Sequence, residues 1–188
     1  MIGAVDSPAG AASTLTRRNV GSIDFMKSIG EPCNLRKCRA VVAPVAGLLF
    51  TCGRPGRSLG SKASVSDEIA DCWVAGLPKG NILNLVSLLG TKEDGKSEYR
   101  FYSFRGSHEH SAKPTFQAWL DSRHGAGRFR VHEYPTEDAG PNSLSDQDIE
   151  SIRAIIIPLT TAGETVVVFD SFGSERTGQV CRALGFRR

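Results

Sequence analysis

Residues 164–178 read E-T-V-V-V-F-D-S-F-G-S-E-R-T-G. The run 165–169 is short, apolar and mostly β-branched, which is typical of a buried strand. A six-residue segment containing Gly173 separates this run from Arg176-Thr177-Gly178, where a short helix reaching Leu184 can begin. A strand, a tight loop and a helix N-terminus bring backbone N–H groups together beside a partial positive charge. The stretch therefore predicts a loop that can hold an anion.

This loop resembles the phosphate loop of the cysteine-dependent protein tyrosine and dual-specificity phosphatases, whose motif is H-C-x-x-G-x-x-R-[ST]-G. Gly173, Arg176, Thr177 and Gly178 match the motif. The resemblance implies catalytic positions at Asp170, which stands at the nucleophile position, and at Arg176 and Thr177. It also implies an anion-binding loop made of Ser171, Phe172, Gly173, Ser174, Glu175 and Arg176.

The chain departs from the family at the nucleophile. Asp170 stands where the family has its cysteine, and Phe169 stands where it has the preceding histidine. A carboxylate is a far poorer nucleophile than a thiolate, and two unit charges ~4 Å apart repel by about 4 kcal/mol at an effective dielectric constant of about 20. We therefore expect Asp170 to accept the loop N–H groups and to pair with Arg176. Alternatively, Asp170 only caps the helix near Arg176 in an unrelated α/β protein.

A second segment upstream, Y-P-T-E-D-A-G at 134–140, resembles the acid loop of the dual-specificity enzymes. The resemblance implies that Asp138 would protonate the leaving oxygen, with Glu137 the less favoured choice. The similarity covers roughly residues 48–184. The chain ends at Arg188, so we expect the family's C-terminal helices to be shortened or absent, or the chain to be a piece of a longer polypeptide.

Apolar patterns along the rest of the chain predict strands that alternate with helices. This alternation predicts an α/β fold with a central, mostly parallel sheet flanked by helices, and the resemblance implies a phosphatase-like sheet of the dual-specificity type. Residues 166–168 should lie in a buried middle strand. The other predicted strands are 47–52, 81–89, 99–104 and 128–134. Three helices are predicted. The first spans 65–75, and the second begins at Pro114 and faces the core with Phe116, Trp119 and Leu120. The third is capped by Ser143 or Ser145, faces the core with Ile149, Ile152 and Ile156, and has Pro158 near its end.

Composition and length set the domain organisation. A chain of 188 residues with 40% hydrophobic residues can bury one core. We expect an N-terminal extension, partly mobile, at 1–45 and the phosphatase-like domain at 46–188. The apolar run 41–50 is interrupted by Pro44 and Gly47 and is far shorter than the ~20 residues of a membrane span, so no membrane partner is expected.

The net charge and the cysteine content exclude few classes of function. A net charge of +3 does not require a nucleic acid or an anionic membrane as partner. Five cysteines without metal-like spacing indicate reduced thiols in a cytoplasmic protein. The triplet His108-Glu109-His110 lacks a third ligand at a fixed spacing, so neither a metal nor another cofactor is expected. Arg54, Arg57 and Arg105 could form a basic surface.

Three functions stay open at this point. The favoured one is a catalytically inactive phosphatase-like domain, a pseudophosphatase, that acts by binding or scaffolding, with a phosphoprotein or another anionic partner. The second is an active phosphohydrolase on phosphoprotein or RNA 5′-phosphates that uses Asp170 or a water. The third is a structural interaction module of a larger protein or polyprotein. Binding of nucleic acid and the oligomeric state are left undecided by the sequence.

Overall fold

The fold was analysed in a computed structural model, which describes residues 34–41, 46–56, 65–80, 82–89, 115–136 and 143–188. These residues form six strands and four helices. In chain order they are β1 (Arg36–Ala40), β2 (Leu48–Gly53), α1 (Asp67–Ala75), β3 (Leu83–Ser87), α2 (Phe116–His124), β4 (Phe129–Glu133), α3 (Asp146–Thr161), β5 (Thr165–Asp170), α4 (Glu175–Ala183) and β6 (Phe186–Arg187).

The strands form one mixed sheet in the order β4-β3-β5-β2-β1-β6. Strand β5 lies between β3 and β2 and is parallel to both, and β4 is parallel to β3. On the other side of the sheet, β1 pairs antiparallel with β2, and β6 pairs antiparallel with β1. The predicted α/β class is confirmed: the sheet is mixed, and the four neighbouring strands β4, β3, β5 and β2 are mutually parallel.

Helices cover both faces of the sheet, as a buried parallel sheet requires. Helices α1 and α2 pack on the face that carries Val167 and Phe169, and α3 and α4 pack on the face that carries Val166 and Val168. The four side chains are fully buried, so the prediction of a buried middle strand is confirmed. The predicted contacts of α3 are confirmed too, because Ile149, Ile152 and Ile156 all belong to the second core cluster.

The start of α3 is fixed by a reciprocal capping interaction. The side chain of Ser145 accepts a hydrogen bond from Asp148 N at 3.1 Å, and Asp148 accepts one from Ser145 N at 2.9 Å. Two N–H groups that the first helical turn leaves unpaired are thereby satisfied. Of the two candidate caps, Ser145 is therefore the one that the fold uses.

Strand β1 lies inside the range that the sequence assigned to an N-terminal extension. Residues Arg36–Ala40 pair with β2 and β6, so this part of 1–45 belongs to the domain. Only Cys38 of its five residues is buried, and three of the others are charged. The strand therefore lacks the apolar alternation by which a strand is recognised in sequence. Residues 1–33 and the predicted strand 99–104 lie outside the described residues.

None of the helices in the described ranges is long and apolar enough to cross a bilayer.

Candidate functional site

The predicted anion loop joins the central strand to a helix N-terminus. Asp170 is the last residue of β5, and α4 begins at Glu175. The loop between them lies at the carboxyl end of the parallel strands, where ligands of open α/β sheets commonly bind. The strand, loop and helix predicted from the sequence are therefore present at this position.

Gly173 fixes how the loop sits on the sheet. Its φ is +71°, a region that side-chain-bearing residues rarely adopt. A Cβ at this position would lie 2.2 Å from both the carbonyl carbon of Cys52 and the nitrogen of Gly53. The loop thus packs directly against the backbone at the end of β2, and only glycine permits that approach.

The carboxylate of Asp170 fills the loop from inside. The residue is only 2% exposed. Its Oδ1 accepts hydrogen bonds from the N–H groups of Phe172, at 2.9 Å, and Gly173, and its Oδ2 accepts one from Thr177 N at 3.0 Å. These backbone donors converge on one carboxylate, and the helix N-terminus adds a favourable potential for its negative charge.

This geometry agrees with two of the expectations drawn from sequence. Asp170 accepts the loop N–H groups, as expected for a self-filled anion site. It also caps α4, because Ser174 at the N-cap position makes no side-chain capping hydrogen bond and Asp170 satisfies the N–H of Thr177.

Within the described residues, Arg176 binds oxygens of Leu88 and Thr136 rather than the carboxylate of Asp170. Its guanidinium Nη1 donates to the carbonyl oxygen of Leu88 at 2.8 Å, and to the carbonyl oxygen and Oγ1 of Thr136 at 3.3 Å each. The expected ion pair with Asp170 is not found among the described contacts of that carboxylate. The oxygens of Asp170 face the loop N–H groups, while the arginine, 2% exposed, extends toward the segments that follow β3 and β4.

The segment after β4 approaches the loop. Tyr134 N donates to Ser87 O at 2.9 Å, and the hydroxyl of Thr136 donates to Leu88 O at 2.7 Å beside Arg176. The chain that leads to the predicted acid residue is therefore at the loop end of the sheet. Asp138 and Glu137 lie outside the described residues, so their role stays a prediction.

A small open pocket lies over the loop. It has a volume of about 110 Å³ and is lined by Asp170, Phe172, Ser174, Glu175 and Arg176. Pockets that hold drug-sized ligands have about 300–1,000 Å³, so this one suits a single small group. Two of its five lining side chains are carboxylates, which disfavours a dianion. Phe172 is 50% exposed at this pocket and does not fill the anion cradle.

Arg188, which follows β6, holds the loop through its side chain and was not predicted from the sequence. Its Nη1 donates to Ser174 O at 2.8 Å, and its Nη2 donates to Gly173 O at 3.0 Å and to the Thr177 hydroxyl. Nothing in the local sequence marks the residue, because it reaches the loop through the pairing of β6 with β1. Thr177, predicted as a catalytic position, uses its hydroxyl as an acceptor for Arg188.

Removing the Arg188 side chain should loosen the loop selectively. We expect Arg188→Ala to lower the free energy of unfolding by about 1 kcal/mol and to accelerate hydrogen exchange at the Gly173 and Thr177 amides. Arg182→Ala is the matched control, since Arg182 lies in the last turn of α4 and its side chain forms no hydrogen bond or ion pair within the described part of the chain. Equal exchange rates in both variants would show that Arg188 does not hold the loop.

The residues considered for a basic surface or a metal site are either buried or outside the described residues. Arg54, considered for a basic surface, is fully buried, and its N–H donates to the Asp170 carbonyl at 2.8 Å. It follows β2 directly, beside the end of β5, so it cannot belong to an exposed patch. Arg57, Arg105 and the triplet at 108–110 lie outside the described residues. Within the described ranges, no group of three or more His, Cys, Asp or Glu could hold a metal ion.

Comparisons with known proteins found no match: no family model, no curated protein and no solved structure matches the chain. The resemblance to the phosphatases therefore rests on the loop motif and on the segment 134–140.

Proposed function

We propose that this protein is a phosphatase-like domain that does not transfer phosphoryl groups and acts by binding or scaffolding. One observation carries the proposal: the Asp170 carboxylate accepts the N–H groups of Phe172, Gly173 and Thr177. These are the donors that a phosphoryl group in such a loop would need. Because a side chain of the protein already binds them, an incoming phosphate would meet both a filled site and a like charge.

The same contacts argue against Asp170 as a nucleophile. Three hydrogen bonds from backbone N–H groups stabilise the carboxylate in its ground state, and attack on phosphorus would weaken them. The Nη1 of Arg176 donates to the carbonyl oxygen of Leu88 and not to Asp170. The hydrogen bonds that hold the Asp170 carboxylate therefore disfavour the active phosphohydrolase that the sequence left as an alternative.

Binding at the loop mouth is supported by Phe172. Its side chain is half exposed next to the small pocket, although large apolar side chains are usually covered. Aromatic residues are enriched in the buried centres of protein interfaces. In this proposal a partner is recognised by contact with this rim, and a phosphoprotein as the partner remains a prediction from the sequence resemblance.

A turnover assay with an aryl phosphate tests the proposal. We expect the parent chain to hydrolyse the substrate no faster than its Asp170→Asn variant, because neither has a competent nucleophile. The variant keeps the shape of the side chain and removes its charge, so it is the matched control. Hydrolysis by the parent that Asp170→Asn abolishes would establish an aspartate nucleophile and overturn the assignment.

A further inference from the structure

Two cysteines far apart in the chain meet in the core beside the loop helix. Cys38 in β1 and Cys181 in α4 are 143 positions apart, and their Sγ atoms lie 3.2 Å from one another. They are 5% and 1% exposed and belong to the cluster that packs under α3 and α4. Both are free thiols. We propose that Cys38 and Cys181 are a modification site, at which a small peroxide converts the two thiols into an intramolecular disulfide.

The surrounding backbone already holds the two residues together. Strand β1 pairs with β6, which follows α4 after a short turn. The N–H of Val41, just beyond β1, donates to the carbonyl of Gly185 in that turn at 2.8 Å. A disulfide has an S–S distance of about 2.05 Å, so the sulfurs need to approach by only about 1 Å. The contact is therefore fixed by the fold from both chain segments.

The two thiols differ in the direction in which their pKa values are shifted. The hydrogen bond between the two thiols lowers the pKa of Cys38 below its ordinary value, and the positive charge of Arg188 adds to this against the opposing effect of burial. The same hydrogen bond and burial raise the pKa of Cys181. Cys38 is also the more exposed of the two, at 5% against 1%. Since the thiolate is the nucleophile, the proposal takes Cys38 as the attacking sulfur and Cys181 as the resolving one.

The reaction balances with hydrogen peroxide as the oxidant. The Cys38 thiolate attacks one peroxide oxygen, the O–O bond breaks, and the departing hydroxide takes up the proton that Cys38 had released, which gives water and a sulfenic acid. The Cys181 sulfur then attacks the Cys38 sulfur and the S–O bond breaks. The leaving hydroxide takes the Cys181 proton and forms a second water. Two thiols are oxidised and one peroxide is reduced.

The bond would join β1 to the helix that carries the loop. It closes a long chain segment, because the two residues are 143 positions apart, and long closed loops favour a large stabilisation. We expect the oxidised protein to melt roughly 10 °C higher than the reduced one. Reduction should reverse the shift.

Peptide mapping tests the site directly in the parent chain. The protein is treated with hydrogen peroxide, digested without reduction and analysed by mass spectrometry. We expect a cross-linked peptide that contains Cys38 and Cys181, together with the higher melting temperature. Cys72→Ser, a change in α1, should retain both results, whereas Cys38→Ser and Cys181→Ser should lose both. Recovery of Cys38 and Cys181 as thiols, their oxidation to sulfonic acids, or disulfides to the other cysteines would overturn the proposal. Because the mapping does not measure turnover, its result is independent of whether the proposed function is correct.

Discussion

Gly173→Ala should lower the free energy of unfolding by about 4 kcal/mol, which combines the strain of a positive φ with steric overlap in a packed site. The φ of +71° is unfavourable for alanine. The added methyl group would also lie 2.2 Å from backbone atoms of Cys52 and Gly53, which cannot move without disturbing β2. Urea denaturation of parent and variant measures the loss.

Gly127→Ala separates the two causes. Gly127 has a comparable φ of +77°, but a Cβ there would meet no atom within 4 Å. We expect this variant to lose only about 1 kcal/mol, the cost of backbone strain alone. A similar loss in both variants would contradict the close packing of the loop on β2.

The central part of the fold could be predicted because its signals are local. The β-branched run of β5 and the apolar stripe of α3 determine which faces are buried, and both were found where the sequence placed them. Gly173 stood out for the same reason, since a loop glycine between a strand and a helix indicates a special backbone conformation. These features depend on neighbours within a few residues.

The features that the sequence did not predict depend on contacts between distant parts of the chain. Strand β1 is charged and mostly exposed, and it is a strand because β2 and β6 supply its hydrogen-bond partners. Arg188 reaches the loop through the same pairing. Arg176 was expected to pair with a carboxylate, but its acceptors include the backbone oxygen of Leu88. Backbone oxygens occur at every residue, so the sequence cannot indicate which of them a side chain will use.

Removing the carboxylate of Asp170 should be costly. We expect Asp170→Ala to lower the free energy of unfolding by about 3 kcal/mol, because buried N–H groups lose their acceptor. The N–H groups concerned are those of Phe172, Gly173 and Thr177. Asp146→Ala is the control, since Asp146 is an exposed acidic residue in the first turn of α3. It should cost only about 0.5 kcal/mol through the helix dipole.

The central claim is that Asp170 occupies the anion site of the loop, and phosphate rescue of Asp170→Ala tests it most directly. The melting temperatures of parent and variant are measured against phosphate concentration at constant ionic strength. A ligand that binds only the folded state raises stability as its concentration exceeds the dissociation constant. We predict that phosphate stabilises Asp170→Ala in a saturable manner and leaves the parent unchanged. A rise in the parent as large as that in the variant would show that the anion site is open and that Asp170 does not fill it.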